Sequence, residues 1–105
     1  SLKDLSEDIL PNKAVLLYFY SDMWIACLLA KPAVSSLEKQ IMDECDVIWV
    51  EIRSEYGRKV WKKYNSEVVP TFLLLNMQGK EIFRKSGSIP SKTTILNNLI
   101  LQNQH

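Results

Sequence analysis

Residues Ala14 to Tyr20 read AVLLYFY, seven apolar or aromatic residues with no polar interruption. A strand with one face in water alternates apolar and polar side chains, because successive Cβ atoms point to opposite faces. This segment does not alternate, and it is rich in residues that favour strands, so it reads as a strand buried on both faces. A strand of that kind sits inside a sheet that is covered on both sides.

The rest of the pattern supplies the cover. Leu2, Leu5, Ile9 and Leu10 have the spacing of a short amphipathic helix, ended by Pro11 and Asn12. Over residues 24–43, Leu28, Val34, Leu37 and Ile41 take core-facing positions of a longer helix, which Pro32 should kink. Residues 47–52 (VIWVEI) read as a second buried strand. Tyr56, Val60, Trp61 and Tyr64 share one face of a helix over residues 55–64. Residues 71–76 (TFLLLN) are a third strand, Met77-Gln78-Gly79 a turn, and residues 81–85 a fourth strand. Ser91 can cap a last helix whose Ile95, Leu96, Leu99 and Ile100 face the core. The order is α-β-α-β-α-β-β-α. Two strands joined by helical crossovers and followed by a hairpin imply a mixed α/β architecture, a central sheet with helices on both faces. The 105 residues contain no repeat or linker-like stretch, so one domain over 1–105 is expected.

Composition narrows the function classes. A formal net charge of +1 gives no case for nucleic acid or an anionic membrane. No apolar run approaches the ~20 residues of a membrane-spanning helix. Two cysteines, Cys27 and Cys45, and a single terminal histidine make neither a disulfide framework nor a zinc-type ligand set, so no metal or cofactor is expected. The first residue is Ser1, which is compatible with a soluble domain trimmed from a longer or exported protein, and the compartment stays open.

Several landmarks occur in a recognisable order. AVLLYFY runs into a loop bearing Trp24 and Cys27 that opens a helix, and Pro32 follows Cys27 by five residues. VVPT (Val68 to Thr71) introduces the third strand, NMQGKEI makes a hairpin, and Gly87 in KSGS follows the last strand. Together these resemble the thioredoxin family over about residues 13–100. The resemblance implies a thioredoxin-like fold, with a cis peptide before Pro70 and a substrate groove between that loop and the start of the long helix.

The departures fall on the chemistry. Thioredoxins carry Cys-Gly-Pro-Cys where this chain has Trp24-Ile25-Ala26-Cys27. The missing residue is the first cysteine, the exposed one whose thiolate attacks a substrate disulfide. Cys27 takes the position of the shielded, resolving cysteine. Tyr18 aligns with the family's buried acid, and Glu51 falls where many members hold a lysine beside that acid. Dithiol–disulfide exchange by the family's mechanism is therefore not expected.

Each candidate residue has two readings. Cys27 is either a buried cysteine packing as a small hydrophobe or a monothiol centre for peroxide- or glutathione-linked chemistry. Thioredoxin-fold peroxidases place a Thr three residues before the reactive cysteine and an Arg nearby, and here Trp24 stands at the Thr position. Trp24 is either an exposed anchor in the old substrate groove or an indole lid over Cys27. The backbone beside Val69-Pro70 either receives a peptide like an added strand, or only keeps the fold's architecture. Cys45, placed at the end of the long helix, reads as a semi-buried structural cysteine, too far along that helix to bridge to Cys27. The basic run Arg58, Lys59, Lys62 and Lys63 reads as a solvated helix face.

The expectation is a monomeric module that binds an extended peptide or partner protein between Trp24, Ile25, Ala26 and Val69-Pro70. The alternative is a redox protein that uses Cys27 alone.

Overall fold

The computed structural model of the chain describes residues 13–103. Seven elements run in the order β1 (Ala14–Tyr20), α1 (Ile25–Ile41), β2 (Cys45–Glu51), α2 (Glu55–Lys63), β3 (Thr71–Leu75), β4 (Glu81–Ser86) and α3 (Lys92–Asn103). The expected helix over residues 2–10 lies outside the described residues.

The strands form one mixed sheet in the order β2-β1-β3-β4. β1 runs parallel to β2, because α1 carries the chain back across the sheet between them. β1 is antiparallel to β3, and β3 is antiparallel to β4 through a tight hairpin. The Asn76 side-chain oxygen accepts from the Gln78 and Lys80 amides at 2.9 Å each, and Gly79 takes φ +81 to close that turn.

Register explains the unbroken apolar strand. Ala14, Leu16 and Tyr18 of β1 and Phe72 and Leu74 of β3 point to one face, under Val34, Leu37 and Ile41 of α1 and Ile95 of α3. Val15, Leu17 and Phe19, with Leu73 and Leu75, point to the other face and pack with Val50 and with Val60 of α2. Helices therefore cover both sides, and in β1 and β3 side-chain polar atoms are confined to the tyrosine hydroxyls and Thr71. On the α1 side, Tyr18 stacks between Tyr20 (5.3 Å between ring centroids) and Phe72 (4.7 Å), with Trp49 edge-on at 5.0 Å. The Trp49 indole N–H donates to Glu38 of α1 at 3.0 Å, pinning β2 to the helix.

Three sequence expectations change. β2 starts at Cys45 and is only half-buried over Val47, Ile48 and Trp49, because among the described strands it pairs with β1 alone. Cys45 is accordingly not at a helix end: α1 stops at Ile41, and Cys45 opens β2 fully buried. Burial, with the Asp46 charge beside it, pushes that thiol up to about 12. Leu28, Tyr56 and Ile100 are exposed rather than core-facing. Each sits one position round the helix from an inward residue: Cys27, Gly57 and Leu99 respectively. Pro32 lies inside α1, where the sequence places it.

Candidate functional site

The two segments singled out in the sequence meet at one end of the sheet. β1 delivers the chain to residues 21–24 at its C-terminal end, and β3 starts just after Pro70. The antiparallel register pairs Phe19 with Thr71, so both loops leave the same edge of neighbouring strands.

The first loop is built by Ser21, which is buried. Its carbonyl accepts from the Trp24 amide at 3.2 Å and its hydroxyl from the Met23 amide at 3.2 Å. This local turn brings Trp24 to the N-cap of α1 in extended conformation (φ −99, ψ 124), and the Trp24 carbonyl accepts the first helical bond from Leu28 at 3.0 Å. From there the helix projects its first turns into solvent. Met23 is 73% exposed, Trp24 59%, Ile25 71% and Leu29 76%, with Leu28 and Ala26 also outward. Cys27 alone in this stretch turns inward, at 0% exposure.

Beneath it lies Tyr18, also fully buried. No described residue hydrogen-bonds its hydroxyl. Burial first, then the neighbouring charges of Cys27, Tyr20 and Asp22, push the phenol up to about 12. A neutral phenol thus occupies the place next to Cys27 where the family resemblance implies a carboxyl group.

The second loop is tied down as firmly as the first. The Val69–Pro70 peptide is cis. The Thr71 hydroxyl donates to the Val68 carbonyl at 2.6 Å and lies 2.8 Å from the Ser86 hydroxyl, while the Gly87 amide donates to the Pro70 carbonyl at 2.9 Å. Pro70 is buried and Val69 half-buried, and the side chain that this loop offers to solvent is Val68.

A third segment, around Glu51, joins the site. The Glu51 carboxylate, at the end of β2, accepts from the Asp22 amide at 3.1 Å and from the Arg53 amide at 2.6 Å, and it pairs with the Arg53 guanidinium at 3.0 Å. Partial burial alone pushes the Glu51 carboxyl up, but these donors outweigh it and hold it below the ordinary carboxylate range. Asp22 in turn pairs with Lys31 of α1 at 3.0 Å, and Lys31 lies over the Tyr20 ring. Met23, Leu28, Leu29 and Val68 are the residues that sequence reasoning missed; Glu51 was placed beside the family's acid position, but its bonds to Asp22 and Arg53 were not read. One signal was present: MWIACLL has no polar residue, and a helix cannot turn all of these side chains inward at once.

No group of three or more metal-ligating side chains occurs among the described residues, and both cysteines are free thiols. No described helix is long and apolar enough to cross a membrane.

Comparison with known proteins places this geometry. No family model matches the chain. It is 25% identical over 104 residues to the chloroplastic thioredoxin-like protein HCF164 of Arabidopsis thaliana, covering 92% of this chain and 40% of that protein. It is also 25% identical over 104 residues to the thiol:disulfide interchange protein TxlA of Synechococcus elongatus, covering 92% of this chain and 54% of that one. Among solved structures it superposes on Fasciola hepatica thioredoxin with a TM-score of 0.69 at 24% identity, covering 95% of this chain and 88% of that one. The exposed lipoprotein thioredoxin of Streptococcus pneumoniae gives 0.71 at 20% identity, covering 92% and 89%. The chain is thioredoxin-like in sequence and in fold. It spans about half or less of the curated relatives' length, while it matches most of the thioredoxin structures. In this thioredoxin-like chain, the N-cap position of the long helix holds Trp24, and the cysteine that remains lies inside the fold.

Proposed function

We propose that the chain is a peptide- or protein-binding module on a thioredoxin-like scaffold, rather than a dithiol–disulfide oxidoreductase. The observation that carries this reading is an inversion at one helix start: the sulfur is sealed at 0% exposure while Trp24 and its apolar neighbours face water. A sealed sulfur is out of reach of a substrate disulfide. The apolar side chains are poised differently. Leaving a large apolar side chain in water forgoes on the order of 1.5–3 kcal/mol relative to burial, and here several do so side by side. Contiguous exposed apolar surface marks interaction sites, and Trp is favoured at binding hot spots. The occupant in this reading is an extended segment lying between Trp24 and the Val68–Pro70 loop.

The name of TxlA, a thiol:disulfide interchange protein, favours a second reading, in which Cys27 works as a monothiol. Thiol-reagent titration separates the two, with Cys45→Ser removing the second sulfur. Under the binding reading, Cys27 of the folded protein labels no faster than the protein unfolds, at any pH up to about 8. Fast labelling below neutral pH would overturn it in favour of the monothiol.

A further inference from the structure

Glu51 joins three segments at the end of the sheet that carries the apolar face. Its backbone is held from one side. The Ser54 hydroxyl donates to the Glu51 carbonyl at 2.7 Å, and Gly57 of α2 packs so closely that an added Cβ would lie 1.9 Å from that carbonyl oxygen. Its side chain points the other way, to the Asp22 amide, one residue before Met23 and two before Trp24. The carboxylate is thus the polar tie between the rigid β2–α2 corner and the loop that sets Trp24.

The same contacts remove charge from the rim. The cations near this end, Arg53 and Lys31, are paired with Glu51 and Asp22 at 3.0 Å each. Among the described residues, the face formed by Met23, Trp24, Ile25 and Leu29 is therefore bordered by two ion pairs that compensate Arg53 and Lys31.

We propose that Glu51 is the positioning and specificity-determining residue of the face, fixing where Trp24 stands and restricting the site to uncharged apolar segments. This rests on the binding reading above for the choice of partner, while the positioning part stands without any ligand.

Two variants of the full chain separate the two effects. Glu51→Ala removes both acceptor oxygens. The Asp22 amide is then expected to exchange with solvent deuterium faster by about tenfold, the scale of one lost charge-assisted hydrogen bond, while amides of β1 and β3 keep their wild-type rates. Unchanged Asp22 exchange, or equal acceleration across the sheet, overturns the positioning role. Glu51→Gln keeps one acceptor but leaves Arg53 uncompensated. Panned against a random peptide library displayed on phage, the wild-type chain is expected to enrich uncharged apolar sequences whose binding is lost in Trp24→Ala. The Gln variant is expected to enrich sequences carrying Asp or Glu. Identical enrichment on both overturns the specificity role alone. Enriched sequences that bind equally well to Trp24→Ala, or no enrichment on the wild type, remove the binding reading and the specificity role together.

Discussion

Tyr18 carries two opposed contributions in one side chain. Its ring belongs to the core, stacked between Tyr20 and Phe72, while its hydroxyl finds no hydrogen-bond partner among the described residues. A buried hydroxyl without a partner costs roughly 1–3 kcal/mol of desolvation. Tyr18→Phe keeps the stack and deletes that cost, so thermal or urea unfolding is expected to report about 1 kcal/mol of added stability. A loss of stability would show that the hydroxyl is bonded in solution. Glu51 makes the opposite contribution. Its folded carboxyl is held below the ordinary value of about 4.3, so folding favours its ionised form. The stability it adds is complete above the unfolded pKa and is lost as pH falls through the lower folded value. Urea unfolding of wild type and Glu51→Gln is expected to differ near pH 6 and to converge in strong acid. A constant gap across that range would mean the carboxylate's charge contributes nothing.

At the scale of elements, the sequence spoke clearly wherever burial was complete. AVLLYFY and TFLLL are legible as central strands because both of their faces are covered, which leaves only the first position of the latter, Thr71, polar. Half-covered elements were harder. Among the described strands β2 pairs with β1 alone, its VIWV stretch is only half-buried, and its start at Cys45 carries no hydrophobic signal of its own. In α1, Leu28 looks like a core residue by composition, but Cys27 already holds the inward position, and the helix leaves Leu28 outside. Gly57 was invisible as a constraint, since its meaning depends on a carbonyl six residues earlier. That contact gives a prediction for α2. Alanine ordinarily favours a helix over glycine by about 1 kcal/mol, yet here its Cβ would fall 1.9 Å from the Glu51 carbonyl oxygen. Overpacking of this kind costs typically about 1–3 kcal/mol, so Gly57→Ala is expected to lower stability in urea unfolding and to speed amide exchange at Asp22 through the displaced Glu51. A stabilised variant would mean that the corner yields freely.

Taken as a whole, the molecule has the thioredoxin-like scaffold, and the function proposed above places a different task on it. Both loops of the thioredoxin-like site are still held by hydrogen bonds that do not involve the lost cysteine: Ser21 builds one, Thr71 and Gly87 the other. The legible part of the site was the motif position itself, Trp24 through Cys27, because landmarks along the chain fix its register. The apolar face and the Glu51 tie were not legible, because they arise from contacts between segments far apart in sequence. If the scaffold is independent of the chemistry, then restoring sulfur at the N-cap should restore a redox couple. A thiol at position 24 would stand at the exposed start of α1, where the helix N-terminus favours the thiolate, with Cys27 one turn inside it. Trp24→Cys in a Cys45→Ser background is therefore expected to form an intramolecular disulfide that dithiothreitol opens and mild oxidant closes. Its activity in reducing a protein disulfide should be weak, since Tyr18 supplies no carboxylate for Cys27, and adding Tyr18→Asp should raise the rate at the expense of stability. Thiol counting of the folded protein before and after reduction reads the disulfide directly. A Trp24→Cys variant that folds but keeps two free thiols under oxidant would show that the helix start has moved away from redox geometry, and not only lost its nucleophile.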